Sequence, residues 1–567
     1  MINKENNREM IDPINEFFDN PHLSEAMKAS PEEIHSYVGQ LCETVRNLSK
    51  IGAALSAEHD LPKLLQMILE QAMLFTNADG GTLYMVNDDQ KTLRFEIVKT
   101  NSLKISMGGT SANPINWYPV KLYLENGTPN HAMVSAHVAL TGQSVNIPDV
   151  YDVKGFDFTG TRAFDNKTGY RSKSMLVVPM RNHENLIIGV VQILNAVDHL
   201  SGEVIPFSRA AEEIIVSLAS QAAVSITNTR LIQDLEKLFE SFIQVIAAAI
   251  DEKSPYTAGH IQRVAELTMM IAQEVNSVNT GKYADVTFDA DNLKELRIAA
   301  WMHDIGKITT PEYIVDKSTK LETIYDRLNT VQARFETLKR DAKIAALEEK
   351  LKAAGIVKNF SQIDNELQER IHQIEADYQF VKTANTGGEF MAPEKIAKIQ
   401  QISENRITVE NLDEPILNED EVTNLTIQRG TLTEKERQII NNHVVVTIKM
   451  LEKLPYPKKL RRIPEIAGAH HEKLDGSGYP NHLTEERLMP QSKIMALADI
   501  FEALTAKDRP YKKGKTLSEA MKIMMFMAKD RHIDPELFRI FVEKKIYLAY
   551  AQKFMDHSQI DDVNITF

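Results

Sequence analysis

The spacing of apolar residues changes once along this chain, and that change limits what the chain can fold into. GGTLYMVN (80–87), TLRFEIVK (92–99), SMLVVPM (174–180) and LIIGVVQILN (186–195) are short, rich in β-branched residues and read as strands. Beyond them Leu231, Leu235, Leu238, Phe242, Val245 and Ala249 recur at threes and fours, the spacing of one helical face. Strands and helices present their side chains with different periods, so the two patterns call for separate layers and separate cores.

Helix-like runs at 62–76 and 208–228 bracket the strands, so residues 50–230 read as an α+β domain with a mainly antiparallel sheet, after an N-terminal helical segment at 1–49. A single helix then spans 210–250, either as a connector to the next domain or packed on its own. From 251 the pattern is almost wholly helical. Leu321, Ile324, Leu328, Val331, Phe335 and Leu338 make one stripe, Gly355 breaks it, and Ile363, Leu367, Ile371, Ile374, Tyr378 and Val381 make a second. This predicts an antiparallel helical hairpin with arms of about 40 Å at 1.5 Å per residue. It opens an insertion at 321–429, whose part from 386 to 430 reads as irregular and acidic, inside an all-α domain at 251–550 with a tail at 551–567.

Composition narrows the chemistry. A net charge of -14 over 567 residues excludes a broad basic footprint for long nucleic acid. No window approaches the roughly 18 apolar residues of a membrane helix, and Met1 opens a polar segment, so the chain reads as cytoplasmic with no membrane partner. Its one cysteine, Cys42, allows neither a disulfide framework nor a cysteine-built zinc site. Any metal must use imidazoles and carboxylates.

Those groups recur at helix-like positions: His260 shortly after Thr257, a plausible N-cap; His303 and Asp304; His443, behind the Thr433/Glu436 capping box; His470 and His471 at a helix end; and Asp499. Singly, each is more often a surface or hydrogen-bonded side chain. Together, five imidazoles and two carboxylates exceed one ion's need and suit two divalent transition metals. A carboxylate such as Asp304 can bridge ions roughly 3.5 to 4 Å apart, and water between them ionises near neutral pH, as phosphate ester hydrolysis requires.

HD at 303–304 and HHEKLDGSGYP at 470–480 resemble the signature of HD-GYP phosphodiesterases, which cleave bacterial cyclic dinucleotides, chiefly cyclic diguanylate. SPYTAGHIQRV, WMHDIGKITTPEYI, LTEKERQIINNH, ALADIFEALTAKDRPYKK and HIDPELFRIF extend the resemblance over most of 245–550 outside the insertion. It implies His260, His303, Asp304, His443, His470, His471 and Asp499 as metal ligands, with Asp304 bridging. It also implies Lys307 beside the scissile phosphate and Arg509 and Lys512 as phosphate-binding cations. The ions implied are two, or three where an extra glutamate joins, and are Fe or Mn with Zn as the alternative. Asp475, Gly476, Gly478, Tyr479 and Pro480 form a loop read as a structural or docking element, its glycines serving φ values other residues resist. Glu502 stands where the family has a second aspartate.

FDNKTGYRSKSMLVVPM (164–180) and the following LIIGVVQILN resemble GAF domains of the cyclic-nucleotide-responsive type. Asn195, Phe207 and Glu212 match a pattern of that type, while Ala196 and Ala211 replace its lysine and aspartate. A small-ligand sensor and a ligand-free dimerisation platform both remain open. The expected function is metal-dependent hydrolysis of cyclic di-GMP to linear pGpG and onward to GMP, in a homodimer formed through the GAF domain and connector. Hydrolysis of cyclic GMP-AMP, or a nucleotide-sensing regulator that docks a diguanylate cyclase, are the alternatives.

Overall fold

The structure, a computed structural model, describes residues 46, 49–58, 60–253, 259–353, 360–388, 390–410, 412–506 and 514–565. The chain divides into two compact units, Met1–Lys237 and Leu238–Phe567. The segment expected at 1–49 lies almost wholly outside the described residues, and helix is present over 49–57.

In the first unit, helix α1 (Leu61–Phe75) starts where the Asp60 side chain accepts the Lys63 N–H, and it buries Leu64, Ile68 and Leu69. The sheet comprises β1 (Ala78–Val86), β2 (Thr92–Thr100), β3 (Ile105–Gly108), β4 (Val120–Lys121), β5 (Val145–Ile147), β6 (Met175–Arg181), β7 (Ile187–Val197) and β8 (Val204–Ile205). Its order is β3-β2-β1-β7-β6-β5, every pair antiparallel, with β4 beside β2 and β8 beside β7. The four strands legible in the sequence are the long central ones. The other four, at two to four residues, are too short to show a period.

Alternation along the strands sends side chains to opposite faces. Leu83, Met85, Leu176 and Val178 join a core with α1, while Tyr84, Met175 and Val177 join another beside α2 (Val134–Thr141), near α3 (Thr159–Thr168).

Helix α4 (Arg209–Asp251) runs for 43 residues. Ile215, Leu218, Ala222 and Ile226 pack into the first unit's core, and Ile243, Ala247 and Ile250 into the second unit's. The stripe read from the sequence is a different face: Leu231, Leu235, Leu238, Phe242 and Val245 are 55–65% exposed.

The second unit's core joins the end of α4 to α5 (His260–Val275), α6 (Ala290–Met302), α12 (Glu434–Leu451), α13 (Ile463–Ala467), α14 (Pro490–Thr505), α15 (Leu517–Lys529), α16 (Pro535–Glu543) and α17 (Ile546–Phe554). Between α6 and α12 lie short α7 (Glu312–Val315) and the insertion's α8 (Leu328–Ala353), α9 (Phe360–Asn385), α10 (Pro393–Ser403), β9 (Arg406–Val409), β10 (Leu412–Pro415) and α11 (Glu419–Leu425). Helices α8 and α9 are antiparallel, with Lys339 facing Glu375 and Lys350 facing Asp364. Their 26 residues each span about 40 Å.

Two expectations change here. Leu321 and Ile324 precede α8, which starts after Asp326 accepts the Leu328 N–H, and Ile324 is 93% exposed. The described residues of 386–430 also carry regular structure set by local signals: an Asn418/Glu421 capping box opens α11, and β9 and β10 pair antiparallel. Lys317, buried at the insertion's base, donates to Asn424 (2.8 Å) and to Glu436 (2.8 Å) in the capping box of α12.

Candidate metal centre

Five segments bring the expected residues together. His260 is the first residue of α5, whose N-cap is Gly259 at φ 74°; Thr257, expected as the cap, lies outside the described residues. His303 is the C-cap of α6, and Asp304 enters a 3₁₀ turn, Ile305–Thr309. His443 lies within α12, which the Thr433/Glu436 capping box opens. His470 and His471 lie in the turn after α13 rather than on a helix, and Asp499 lies within α14.

Local packing explains the placement of the His303–Asp304 corner. A Cβ at Gly306 would stand 1.9 Å from the His443 carbonyl oxygen, so only glycine lets the 3₁₀ turn lie against α12. The Thr447 hydroxyl accepts the Gly306 N–H (2.9 Å) and donates to the His303 carbonyl (3.1 Å).

Three of the inward imidazoles are held to backbone carbonyls by their outer nitrogens. Nδ1 of His303 donates to the Ala300 carbonyl (2.7 Å), that of His443 to Ile440 (2.5 Å) and that of His470 to Ala467 (2.7 Å). A carbonyl can only accept, so Nδ1 carries the proton and Nε2 turns a lone pair inward, the tautomer a metal ligand needs. Nε2 of these three residues and Oδ1 of Asp304 are buried without a hydrogen-bond partner. An unmet buried polar atom costs about 1–3 kcal/mol, so four converging on one place fit a cation-binding centre.

Asp304 stands between two groups of donors. Its Oδ2 lies 3.2 Å from His303 Nε2 and 3.6 Å from His260 Nε2, and its Oδ1 lies 3.3 Å from His443 Nε2 and 4.0 Å from His470 Nε2. His260, His303 and Asp304 form one set able to hold an ion; His443, His470 and His471 form the other. Asp499 Oδ1 is 3.4 Å from His260 Nε2. Lys307 Nζ pairs with Asp304 Oδ2 at 2.5 Å.

The two sets differ electrostatically. Burial opposes charge on His260, but the Glu502, Asp304 and Asp499 carboxylates together outweigh it and raise the imidazolium pKa well above the ordinary value. Burial likewise opposes charge on His303, and Asp304 raises its pKa. Burial and the adjacent His471 push His470 far down, and burial takes His471 to about 4, so both are neutral at pH 7. Burial would raise Asp304, yet Lys307 and His303 hold it well below the carboxylate range.

Glu502 acquires a definite contact. One oxygen lies 2.5 Å from His260 Nδ1 and the other takes the Arg263 Nε–H at 2.7 Å, so the longer side chain orients His260 from 242 residues away. Sequence reasoning missed three residues of the cleft beside Asp304, where Asp251, Lys253 and Glu312 line the wall with His260 and Lys307. Their only sequence signal was nearness to SPYTAGH and HDIGK.

The loop at 475–480 lies against the imidazoles: the Tyr479 ring packs on His471, tilted by 30°, with centroids 4.9 Å apart. Gly476 has φ 77°, as a left-handed turn requires. Gly478 has no positive φ; it is glycine because a Cβ would meet the Glu472 backbone at 2.4 Å. The Glu472 carboxylate takes the Asn481 and Leu483 N–H groups, and exposed Asp475 takes that of Ser477. Arg509 and Lys512 lie outside the described residues.

In the first unit, the pattern residues are engaged internally. Asn195 accepts the Lys173 N–H (2.7 Å) and donates to the Arg171 carbonyl (2.8 Å); Glu212 accepts from Ser144 and Asn146; Phe207 is buried.

The GAF domain family matches residues 60–226, and the HD domain family matches 257–378 and 420–537. Over 111 residues, 19% of this chain and 23% of the relative, the chain is 40% identical to the 3'3'-cGAMP-specific phosphodiesterase 3 of Vibrio cholerae. Over 139 residues, 24% of this chain and 31% of the relative, it is 34% identical to a probable cyclic di-GMP phosphodiesterase of the same organism. It thus spans under a third of the length of either. Among solved structures, the GAF domain from an Acinetobacter phosphoenolpyruvate-protein phosphotransferase is 16% identical, with a TM-score of 0.25, covering 34% of this chain and 98% of that one. No helix among the described residues is long and apolar enough to cross a membrane.

Proposed function

We propose that this chain, which carries a GAF domain followed by an HD domain, is a metal-dependent phosphodiesterase that opens cyclic di-GMP to linear pGpG and onward to GMP. The observation that carries the reading is the position of Asp304, one oxygen toward each set of imidazoles, among buried lone pairs with no other partner. His260, His303, Asp304 and Asp499 would hold one ion; Asp304, His443, His470 and His471 would hold the other. The nitrogen and oxygen donors suit Fe or Mn, with Zn as the alternative, and two three-residue sets favour two ions. When bound, such ions supply Lewis acidity and a water that ionises near neutral pH.

The chain's own residues do the rest. Carbonyl-held Nδ1–H groups keep three Nε2 lone pairs facing inward, and Glu502 orients the fourth imidazole. Lys307 sets an ammonium beside Asp304, where it offsets charge gathering on the phosphate oxygens and can give a proton to the departing ribose oxygen. Arg509 and Lys512 would hold a phosphate. Cyclic GMP-AMP is the second candidate substrate, since a relative named for it shares 40% identity over 111 residues. The exposed face of α4 supports a homodimer through the connector and GAF domain, which light scattering would test.

The deciding experiment measures bound metal and follows both dinucleotides by chromatography, beside Asp304→Ala. About two ions per chain, cleavage of at least one dinucleotide and loss of both properties in the variant are expected. Metal without cleavage would turn the reading toward a nucleotide-sensing regulator that docks a cyclase. Absence of metal would defeat it.

A further inference from the structure

Lys253 lies two residues beyond α4, and its ammonium donates to three backbone carbonyls: Lys307 (2.9 Å), Ile308 (2.5 Å) and Thr310 (2.6 Å). These carbonyls lie at the end of the 3₁₀ turn Ile305–Thr309, where the Lys307 carbonyl also takes the Thr310 N–H (3.0 Å), and the carbonyl end of a helix favours a cation. Lys253 occupies that end completely, using all three of its N–H bonds. The helix before it is fixed: Ile243, Ala247 and Ile250 are buried in the second unit's core. Lys253 also lines the same cleft as Asp304 and Lys307.

The turn is therefore held from two directions, by different parts of the chain. The Thr447 hydroxyl grips its start, at Gly306 and His303, from α12. Lys253 grips its end, at the backbone from which Lys307 projects. The Thr447 grip bears on Asp304 and the Lys253 grip on Lys307.

We propose that Lys253 is a positioning residue for Lys307, tying the ammonium that faces the phosphate to the end of α4. The inference rests on the proposed role of Lys307 and adds what positions it. Because Ile243, Ala247 and Ile250 seat the α4 end in the core, Lys253 holds the Lys307 backbone against a fixed support, while Thr447 holds the Asp304 side. A lysine that merely caps a short helix would give stability and nothing more, which separates the two roles experimentally.

The test compares full-length wild type with Lys253→Met and Lys253→Arg. Hydrogen exchange of the Ile305–Thr310 amides should quicken about tenfold in Lys253→Met, with bound metal unchanged and exchange in α14 and α15 as in wild type. A displaced ammonium should lower kcat about 10- to 100-fold with KM within about threefold, and Lys253→Arg should recover much of both. Exchange at 305–310 that stays at the wild-type rate, or that rises equally throughout the unit, would overturn the proposal; so would faster local exchange with unchanged kcat. If wild type cleaves no dinucleotide, the phosphodiesterase reading fails and with it the catalytic role, while the exchange data still report the anchor itself.

Discussion

Asn195 in the GAF domain and His470 in the HD domain are both buried polar residues in motif-bearing stretches, at 3% and 2% exposure, and they spend their polar atoms in opposite ways. Asn195 satisfies its own amide on the backbone of Arg171 and Lys173. His470 spends Nδ1 on its own turn and leaves Nε2 buried and unmatched. A polar group satisfied within the fold is accounted for by folding, whereas a group of unmatched ones costs stability that only a ligand repays. The contrast sets the candidate centre in the second unit apart from Asn195 in the first, whose polar atoms the fold itself accounts for.

The contrast breaks most visibly at Asp304. Asp304→Asn should lower dinucleotide cleavage roughly a thousandfold or more and release both ions rather than one, because one carboxylate faces both sets. Retention of one full equivalent by metal analysis would show the sets to be independent.

A smaller effect is expected at the insertion, where charge is satisfied internally. Lys317→Met should destabilise the second unit by about 3 kcal/mol in thermal or urea unfolding, since Glu436 loses its buried partner. Burial would raise the Glu436 carboxyl, but Lys317 and the Thr433 hydrogen bonds together outweigh it and hold the group below its ordinary 4.5. Its contribution is therefore complete above pH 4.5 and lost as pH falls below it, and that acid sensitivity should be weaker in Lys317→Met.

The sharpest test of the comparison itself pairs two single substitutions in metal-free protein. Asn195→Ala should cost about 2 kcal/mol in its own unit, because it strands two backbone groups and places alanine at φ 55°. His470→Leu should leave metal-free stability within about 1 kcal/mol of wild type while abolishing ion binding at the set it shares with His443 and His471. Equal losses at the two positions would erase the distinction.

How much was legible in the sequence follows from how local each interaction is. The Nδ1 bonds of His303, His443 and His470 all run to the carbonyl three residues earlier, so residue type and the local helix or turn suffice to orient them. The α4 stripe was legible as one helical face, but its exposure was not, because spacing says which residues share a face and not which face the neighbours cover. Four short strands escaped because two to four residues carry no period.

By itself the sequence determined the residue types of the centre and the change from strand to helix, because both are properties of composition and local spacing. Only the tertiary structure decided that Asp304 stands between two sets of imidazoles, that Glu502 reaches His260 across 242 residues, that Lys253 closes the turn under Lys307, and that Gly478 exists for a backbone contact. Each depends on a distance between segments remote in sequence, which is set by how the helices pack.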